Sequence, residues 1–287
     1  MKTPQPIELT SSQITAFRET IWAHFRKNGR VFPWRATSDP YAIMVSEFML
    51  QQTQTVRVVE KYEAWLLRFP TVQSVAGAEL SEVLSLWNGL GYNRRAKFLH
   101  EASRTICAEH GGVVPSDAES LDALPGIGAY TARAIAAFAF NKAEAFIETN
   151  IRSVFIHFFF EADEVSDSDI LPLVEATLDR SNPRLWYYAL MDYGADLKKR
   201  GENPSRKSKS YAKQSAFAGS LRQARGAILR QLTKIGNGGA GLTLEEIAES
   251  EQIDLARLAT AAEKLVEEGM IRDAGGRFVF GKNEISK

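Results

Sequence analysis

Apolar residues recur at spacings of three and four along most of this chain. Over 13–30, Ile14, Phe17, Ile21, Trp22 and Phe25 fall on one face, which predicts a helix. Pro33 interrupts the pattern. Asp39-Pro40 then marks a new start, with proline in the first turn and Asp39 as the cap of a helix from about Tyr41 to Gln52. The same periodicity predicts helices over 55–69, 80–88, 94–110, 117–122, 129–140, 149–160, 167–180 and 184–195. Pro70, Gly89, Gly91, Gly111-Gly112, Pro115 and Pro125 punctuate them. Alternating apolar and polar positions are almost absent, so residues 1–220 read as all-α.

The pattern changes beyond that region. Residues 198–230 hold Lys198, Lys199, Arg200, Arg206, Lys207, Lys209, Lys213, Arg222, Arg225 and Arg230 against Glu202 alone. Asn203, Pro204 and several serines make the first half loop-like. Further on, Ile228, Leu229 and Leu232 mark one helix. Thr243 caps a second helix, and Glu246 three residues on completes a capping box. A third spans about Asp254–Glu268 and ends at Gly269; a short hairpin turns at Ala274-Gly275-Gly276. Helix, helix, helix, hairpin is a winged-helix pattern. The expected division is a helical core over 1–197, a basic linker over 198–221 and a winged-helix-like module over 222–287.

Composition narrows the class. Of the 287 residues, 45% are hydrophobic and 24% charged, the balance of a folded globular protein rather than a disordered one. No apolar run approaches the length of a membrane span, and the N-terminus shows no basic segment followed by an apolar one. Cys107 is the single cysteine, so neither an intramolecular disulfide nor a cysteine-held metal cluster can form, and the expected compartment is the reducing cytosol, at the nucleoid in a bacterium. Lysine plus arginine and aspartate plus glutamate number 35 each. Any basic surface for nucleic acid must therefore be local.

The stretch LDALPGIGAYTA, 121–132, joins two predicted helices through Gly126 and Gly128. Glycines there leave backbone amides open at a helix start, a natural seat for a phosphate. A bare pair of glycines fits an ordinary tight turn equally well. The full string L-P-G-I-G-x-x-T-A is more specific and resembles the helix-hairpin-helix of DNA repair glycosylases (the HhH-GPD superfamily). Trp34-Arg35, DPYAIMVSEFMLQQTQT (39–55), LWNGLGYNRRAKFL (86–99), FIETNIRSV (146–154) and ALMDYGA (189–195) carry the same resemblance in register. They are most similar to the A/G-mismatch adenine DNA glycosylase branch. The resemblance implies a mainly α, two-lobed glycosylase fold over about 13–197 and mismatched or damaged double-stranded DNA as the partner.

It also implies roles for residues. Glu47 sits among Ile43, Met44, Val45, Phe48, Met49 and Leu50, where a carboxyl group is partly desolvated and its pKa raised, as suits a general acid. The resemblance makes it the acid that protonates the departing base; periodicity alone fits an exposed glutamate. Glu148 matches an aspartate of the family that stabilises the sugar cation or attacks it; here the side chain is one methylene longer. A helix-capping carboxylate is the alternative for Glu148, and compatible with catalysis. Tyr130 stands where strand-cleaving relatives carry the lysine of a Schiff base, with packing of the hairpin as its plain reading. The implied enzyme is monofunctional and leaves an abasic site. Asn150 supports the sugar site.

Trp34 and Arg35 match the wall of a pocket for the extruded base, and Asp192 an acceptor facing its exocyclic amino group; a core aromatic and an ion pair are their plain readings. Gln52 matches a wedge into the duplex and Tyr92 a DNA-proximal tyrosine, with core packing the alternative for Tyr92. Arg94, Arg95 and Lys97 form a cluster that reads either as a solvated helix face or as a phosphate contact. Lys198, Lys199, Arg206 and Lys207 add a basic run that reads as DNA contact, as flexible linker, or as both.

Two departures stand out. Most adenine glycosylases of this family hold an iron–sulfur cluster through four cysteines soon after the ALMDYGA segment; this chain has RGENPSRKSKSYAKQSAF there, so no cluster is expected and clusterless members are its counterpart. A monovalent cation at the hairpin carbonyls is the one cofactor that family analogy adds; no metal-ligating cluster is expected. The domain that inspects oxidised guanine is not expected in 222–287, and Glu263, Glu267 and Glu268 make the predicted third helix a poor reader of DNA. That module is expected to bind either DNA or protein. The alternatives to an adenine glycosylase are a glycosylase for mismatched thymine or uracil, one for a damaged purine, and a non-catalytic DNA-binding adaptor.

Overall fold

A computed structural model describes residues 7–161, 164–212, 216–236 and 239–281. Among these, helix dominates. The first helices are α1 (Ser11–Asn28), α2 (Pro40–Leu50), α3 (Thr55–Arg68), α4 (Val72–Ala76), α5 (Leu80–Trp87), α6 (Arg94–Glu109) and α7 (Ala118–Asp122). Then come α8 (Ala129–Phe140), α9 (Thr149–Phe159), α10 (Asp167–Thr177) and α11 (Pro183–Lys199). The C-terminal elements are α12 (Leu221–Ile235), α13 (Leu244–Glu251), α14 (Leu255–Glu267) and strands β1 (Ile271–Asp273) and β2 (Phe278–Phe280).

The chain divides into two compact units, each discontinuous in sequence. One comprises Met1–Ile43, Ser116–Ala123 and Ile127–Lys213; the other comprises Met44–Pro115, Leu124–Gly126 and Gln214–Lys287. The expected C-terminal module thus falls in the same unit as residues 44–115.

In the first unit, Phe17 of α1 meets Phe155 of α9 and Trp186 of α11, with ring centroids 5.4 and 5.9 Å apart. All three side chains are buried, and aromatic burial of this kind dominates core energetics. The helix predicted over 13–30 starts earlier, at Ser11, because Thr10 and Gln13 form a reciprocal capping box. The helix predicted over 167–180 ends at Thr177, where Arg18 takes the carbonyls of Thr177 and Leu178. By contrast α11 outruns its predicted end and absorbs Lys198 and Lys199 in its last turn, where cations face the negative end of the helix dipole. Gly194 lets α11 lie directly against the first turn of α9, since a Cβ there would overlap the carbonyl oxygen of Asn150.

The basic stretch after α11 is docked in its first half. Pro204–Lys207 form a 3-10 turn. Val165 N donates to Lys207 O at 2.8 Å and Lys209 N to Val165 O at 2.9 Å. Ser205 is buried and hydrogen-bonded to Ser153 of α9. A flexible linker is therefore the wrong description of 203–209: backbone pairing and a buried serine hold it to the unit.

In the second unit, Trp65 of α3 meets Trp87 of α5 edge-on at 5.7 Å. The short helix α4 was not expected from periodicity; a capping box between Thr71 and Ser74 starts it. The C-terminal elements follow in the order of three helices and a hairpin. Thr243 and Glu246 form the predicted capping box, Asp254 caps α14, and β1 pairs antiparallel with β2, Ile271 opposite Phe280. Glu268 at the end of α14 is held by Arg225 through two hydrogen bonds of 3.1 and 2.6 Å.

Arg95 corrects the expectation of a solvated basic face on α6. It is 7% exposed. Its guanidinium donates to the carbonyls of Phe48 and Met49 at the end of α2 (2.6 and 2.9 Å), to Thr53 Oγ1 (2.9 Å) and to Gly91 O (3.0 Å). Orphan carbonyls at a helix C-terminus are thereby satisfied by a buried cation. Burial pushes the Arg95 pKa down to about 10, which leaves the group charged at neutral pH.

Two glycines test this packing in opposite directions. Gly194→Ala should destabilise the fold by about 1–3 kcal/mol, the usual cost of overpacking. Gly226 lies inside α12 with open space around it, so Gly226→Ala should stabilise by about 1 kcal/mol through helix propensity. Urea unfolding of both variants checks the pair; equal effects would contradict the close approach of α11 to α9.

Candidate active site

The candidate residues are carried by several helices and turns, some at helix ends and some within a helix. Asp39 caps α2 as expected, its carboxylate accepting from the amides of Tyr41 and Ala42 at 3.2 and 3.4 Å. Seven residues into that helix, Glu47 is 8% exposed, between Met44, Val45, Phe48 and Met49, which are fully buried. The apolar helix face thus carries a desolvated carboxyl group.

In the first unit, Glu148 caps α9. Its Oε1 accepts from Asn150 N at 2.7 Å and Ile151 N at 2.9 Å, and Oε2 from Asn150 Nδ2 at 3.2 Å. The capping role and the orientation of Asn150 are therefore one arrangement. Although part of the residue reaches solvent, its carboxyl group is enclosed. Burial pushes its pKa above the ordinary glutamate value, outweighing the amide hydrogen bonds and the charge of Arg152, which act the other way. Arg152, one turn further, is held by Asp167 through two bonds of 2.7 Å. Tyr130, in the first turn of α8, lies edge-on to Phe146 at 5.7 Å.

Trp34, Arg35 and Asp192 also come together in this unit. Trp34 is buried and stacks on Phe32 at 4.9 Å. Arg35 makes a bidentate pair with Asp192, both bonds 2.8 Å, and lies 4.5 Å over the Tyr188 ring. Arg30, which periodicity did not single out, donates its backbone amide and its Nε to the same carboxylate at 2.8 and 2.6 Å. Burial pushes the Asp192 carboxyl up, but Arg35 and Arg30 overcome it and hold the pKa below the ordinary value. Asp192 is thus an ionised partner of two arginines, the plainer of its two readings.

The hairpin shows why its glycines are there. Gly126 has φ +74, and a Cβ would overlap Phe98 of α6. Gly128 is the N-cap of α8 in extended backbone, with nothing near the place a Cβ would occupy. Gln52 and Tyr92 are both in the left-handed region, at φ 53 and 47. Arg94 is exposed and lies over Phe98 at 5.0 Å. Lys198, Lys199 and Arg206 are exposed, while Lys207 Nζ donates to Glu161 O at 3.0 Å. Among the described residues, no group of three or more histidine, cysteine or acidic side chains converges as a metal site.

These placements can be set beside known proteins. Residues 45–185 match the model of the HhH-GPD superfamily base excision DNA repair proteins. That segment belongs to the HhH-GPD superfamily. It contains Glu47, Gln52, Tyr92, Gly126, Gly128, Tyr130, Glu148 and Asn150, but not Trp34, Arg35, Asp192 or the basic run. The adenine DNA glycosylase of Mycobacterium tuberculosis (strain CDC 1551 / Oshkosh) is 45% identical over 135 residues, which are 47% of this chain and 44% of that protein. The human adenine DNA glycosylase is 36% identical over 199 residues, 65% of this chain and 36% of that protein. The chain thus spans less than half the length of these two relatives. A solved thermostable thymine-DNA glycosylase superposes with a TM-score of 0.60 at 27% identity, covering 66% of this chain and 88% of that one. The mainly helical glycosylase fold expected from the motifs is therefore present.

Sequence reasoning missed Arg95 as a helix-end ligand, although a signal existed. Position 95 shares a helical face with Leu99, Ala102 and Ile106, all buried. Arg30 carried no such signal, since it lies in irregular chain before Pro33.

The raised pKa of Glu148 has a pH signature. The native state binds its proton more tightly than the unfolded chain, where glutamate titrates near about 4.3. Its stabilising contribution is then complete below the unfolded value and lost as pH rises through the folded value. Urea unfolding from pH 4 to 8 should show wild type losing stability relative to Glu148→Gln as pH rises. A difference that grows with pH would mean that the amide bonds outweigh burial.

Proposed function

We propose that this chain is a monofunctional DNA glycosylase of base excision repair. It hydrolyses the N-glycosidic bond of a base extruded from duplex DNA, adenine in a mismatch, and leaves an abasic site. The observation that carries this reading is Glu148: a buried carboxylate locked on the first turn of α9, within the segment that matches the base excision family. A carboxylate fixed in dense surroundings stabilises a neighbouring sugar cation without reorganising at the moment of reaction. Glu47, on the largely buried helix α2, donates a proton to the departing base. Tyr130 and Asn150 support the sugar site. The amides at Gly126 and Gly128 hold a phosphate, and Arg94, Lys198, Lys199 and Arg206 add phosphate contacts. Trp34 and Arg35 wall the base pocket, with Asp192 keeping Arg35 in place. The chemistry needs no redox cofactor; a monovalent cation at the hairpin carbonyls would serve only to grip the backbone.

A panel of duplexes tests the reaction: adenine opposite oxidised guanine, adenine opposite guanine, thymine opposite guanine and uracil opposite guanine, each followed by alkali. Cleavage of an adenine-containing mismatch is the expected result, and no cleavage on any duplex would overturn the enzyme reading in favour of an adaptor. The likeness to a thymine-DNA glycosylase favours a second reading, which preferential release of thymine or uracil would establish. Glu47→Gln should lower single-turnover release by about 10²–10⁴-fold, the range of general acid catalysis, with duplex affinity little changed. Sodium borohydride should trap no covalent complex, because Tyr130 cannot form a Schiff base; a trapped species would contradict the monofunctional assignment.

A further inference from the structure

Tyr92 sits in a turn that the backbone resists, and two arginines hold it there. Gly89, Gly91 and Tyr92 all have positive φ, at 95, 74 and 47. Glycine accepts that region freely and tyrosine does not. Trp87 Nε1 and Arg95 Nη2 both donate to Gly91 O, at 3.1 and 3.0 Å, and Arg95 Nε donates to Tyr92 O at 3.4 Å. The same Arg95 holds Met49 O and Thr53 Oγ1 on either side of Gln52, the other left-handed residue of this region. One buried guanidinium therefore bonds the carbonyl of Tyr92 and, on either side of Gln52, a carbonyl and a hydroxyl.

The side chain of Tyr92 is fixed separately, from the C-terminal elements. Arg222, in the first turn of α12, donates from Nη1 to Tyr92 Oη at 2.7 Å, and its guanidinium lies 5.5 Å from the ring centroid. A ring gripped at its hydroxyl and on its face has little freedom to tilt. The helix that carries Arg222 is itself fastened. Ser220 caps it, Ser85 of α5 bonds to Thr233 at 3.4 Å, Arg225 pairs with Glu268, and Lys97 of α6 donates to Glu268 O. Arg222 is thus presented by a braced helix rather than by a loose side arm.

We propose that Arg222 is a specificity-determining positioning residue, through which the winged-helix-like module sets the orientation of Tyr92 toward duplex DNA. The proposal rests on the glycosylase reading for the role of Tyr92. It assigns to residues beyond the family-matched segment a function other than added positive charge. The module governs discrimination between mismatched and matched duplexes by holding one aromatic ring.

The test measures equilibrium binding of the full chain to two duplexes that differ only at one pair. One carries adenine opposite oxidised guanine, as a 2′-fluoro nucleoside that resists hydrolysis; the other carries adenine opposite thymine. Arg222→Ala should lower the ratio of mismatched to matched affinity by about ten-fold, the scale of a lost charge-assisted hydrogen bond, with the matched affinity and the salt slope unchanged. Arg222→Lys keeps a donor and should restore much of the ratio. Tyr92→Phe removes only the accepting hydroxyl and should lower the ratio to the same extent, and the double variant should lose no more of the ratio than either alone. Should Arg222→Ala fail to fold, Tyr92→Phe carries the test, since it leaves α12 intact. Equal weakening on both duplexes with a salt slope reduced by about one would show a plain phosphate contact and overturn the proposal. An unchanged ratio, or a wild type that does not prefer the mismatch, would overturn it as well. Absence of base release on every duplex would overturn the enzyme reading alone, because the binding ratio is read without catalysis.

Discussion

A carboxylate bound to the opening amides of one helix is the constraint on which the candidate site depends. Glu148 accepts from two backbone amides and from Asn150, and in doing so it starts α9, orients Asn150 and fixes its own position. These bonds favour the ionised form, while burial disfavours it more strongly. Such a group would relax toward water if the helix were free to move. It is not free: the first turn of α9 lies against α11 at Gly194, and Arg152 in the next turn is locked to Asp167. The cost of holding an acid in dense surroundings is met by helix packing, and what results is a carboxyl group in a fixed place and orientation.

Arginine plays a recurring part in shaping the rest. In one unit, Arg30 and Arg35 converge on Asp192, and a bidentate pair gives both Arg35 and the neighbouring Trp34 a set position. In the other, Arg95 gathers carbonyls from α2 and from the turn before α6. Planar donors with several fixed directions suit this work better than lysine does. The two arginine clusters leave the exposed lysines of α11 as point charges on the surface, which is where screening by salt acts on them most.

Much of this was legible in the sequence, for local reasons. Capping residues act within a turn of chain, so Asp39, Thr243 with Glu246, and the capping alternative for Glu148 could be read directly. Gly126 and Gly128 marked the hairpin, and apolar spacing gave most helices to within a few residues. What stayed hidden depended on distant partners. Arg18 ends α10 from the far side of the sequence. Val165 pairs with the basic stretch and turns an apparent linker into docked chain. Arg95 looked like part of a solvated cluster because its neighbours are basic, yet its phase on α6 put it among buried residues. The family-matched segment, 45–185, likewise draws on both compact units, so its continuity in sequence did not reveal the division of the fold.

The central claim is that the α9 carboxyl group is kept more basic than an ordinary glutamate by the protein around it. Carbon-13 NMR of protein labelled at the glutamate side-chain carboxyl carbon, with the resonance identified by its loss in Glu148→Gln, reads this directly. The account predicts a midpoint for Glu148 above about 4.3, the value of an unperturbed glutamate. A midpoint at or below that value would contradict it, since the amides would then govern the site rather than burial.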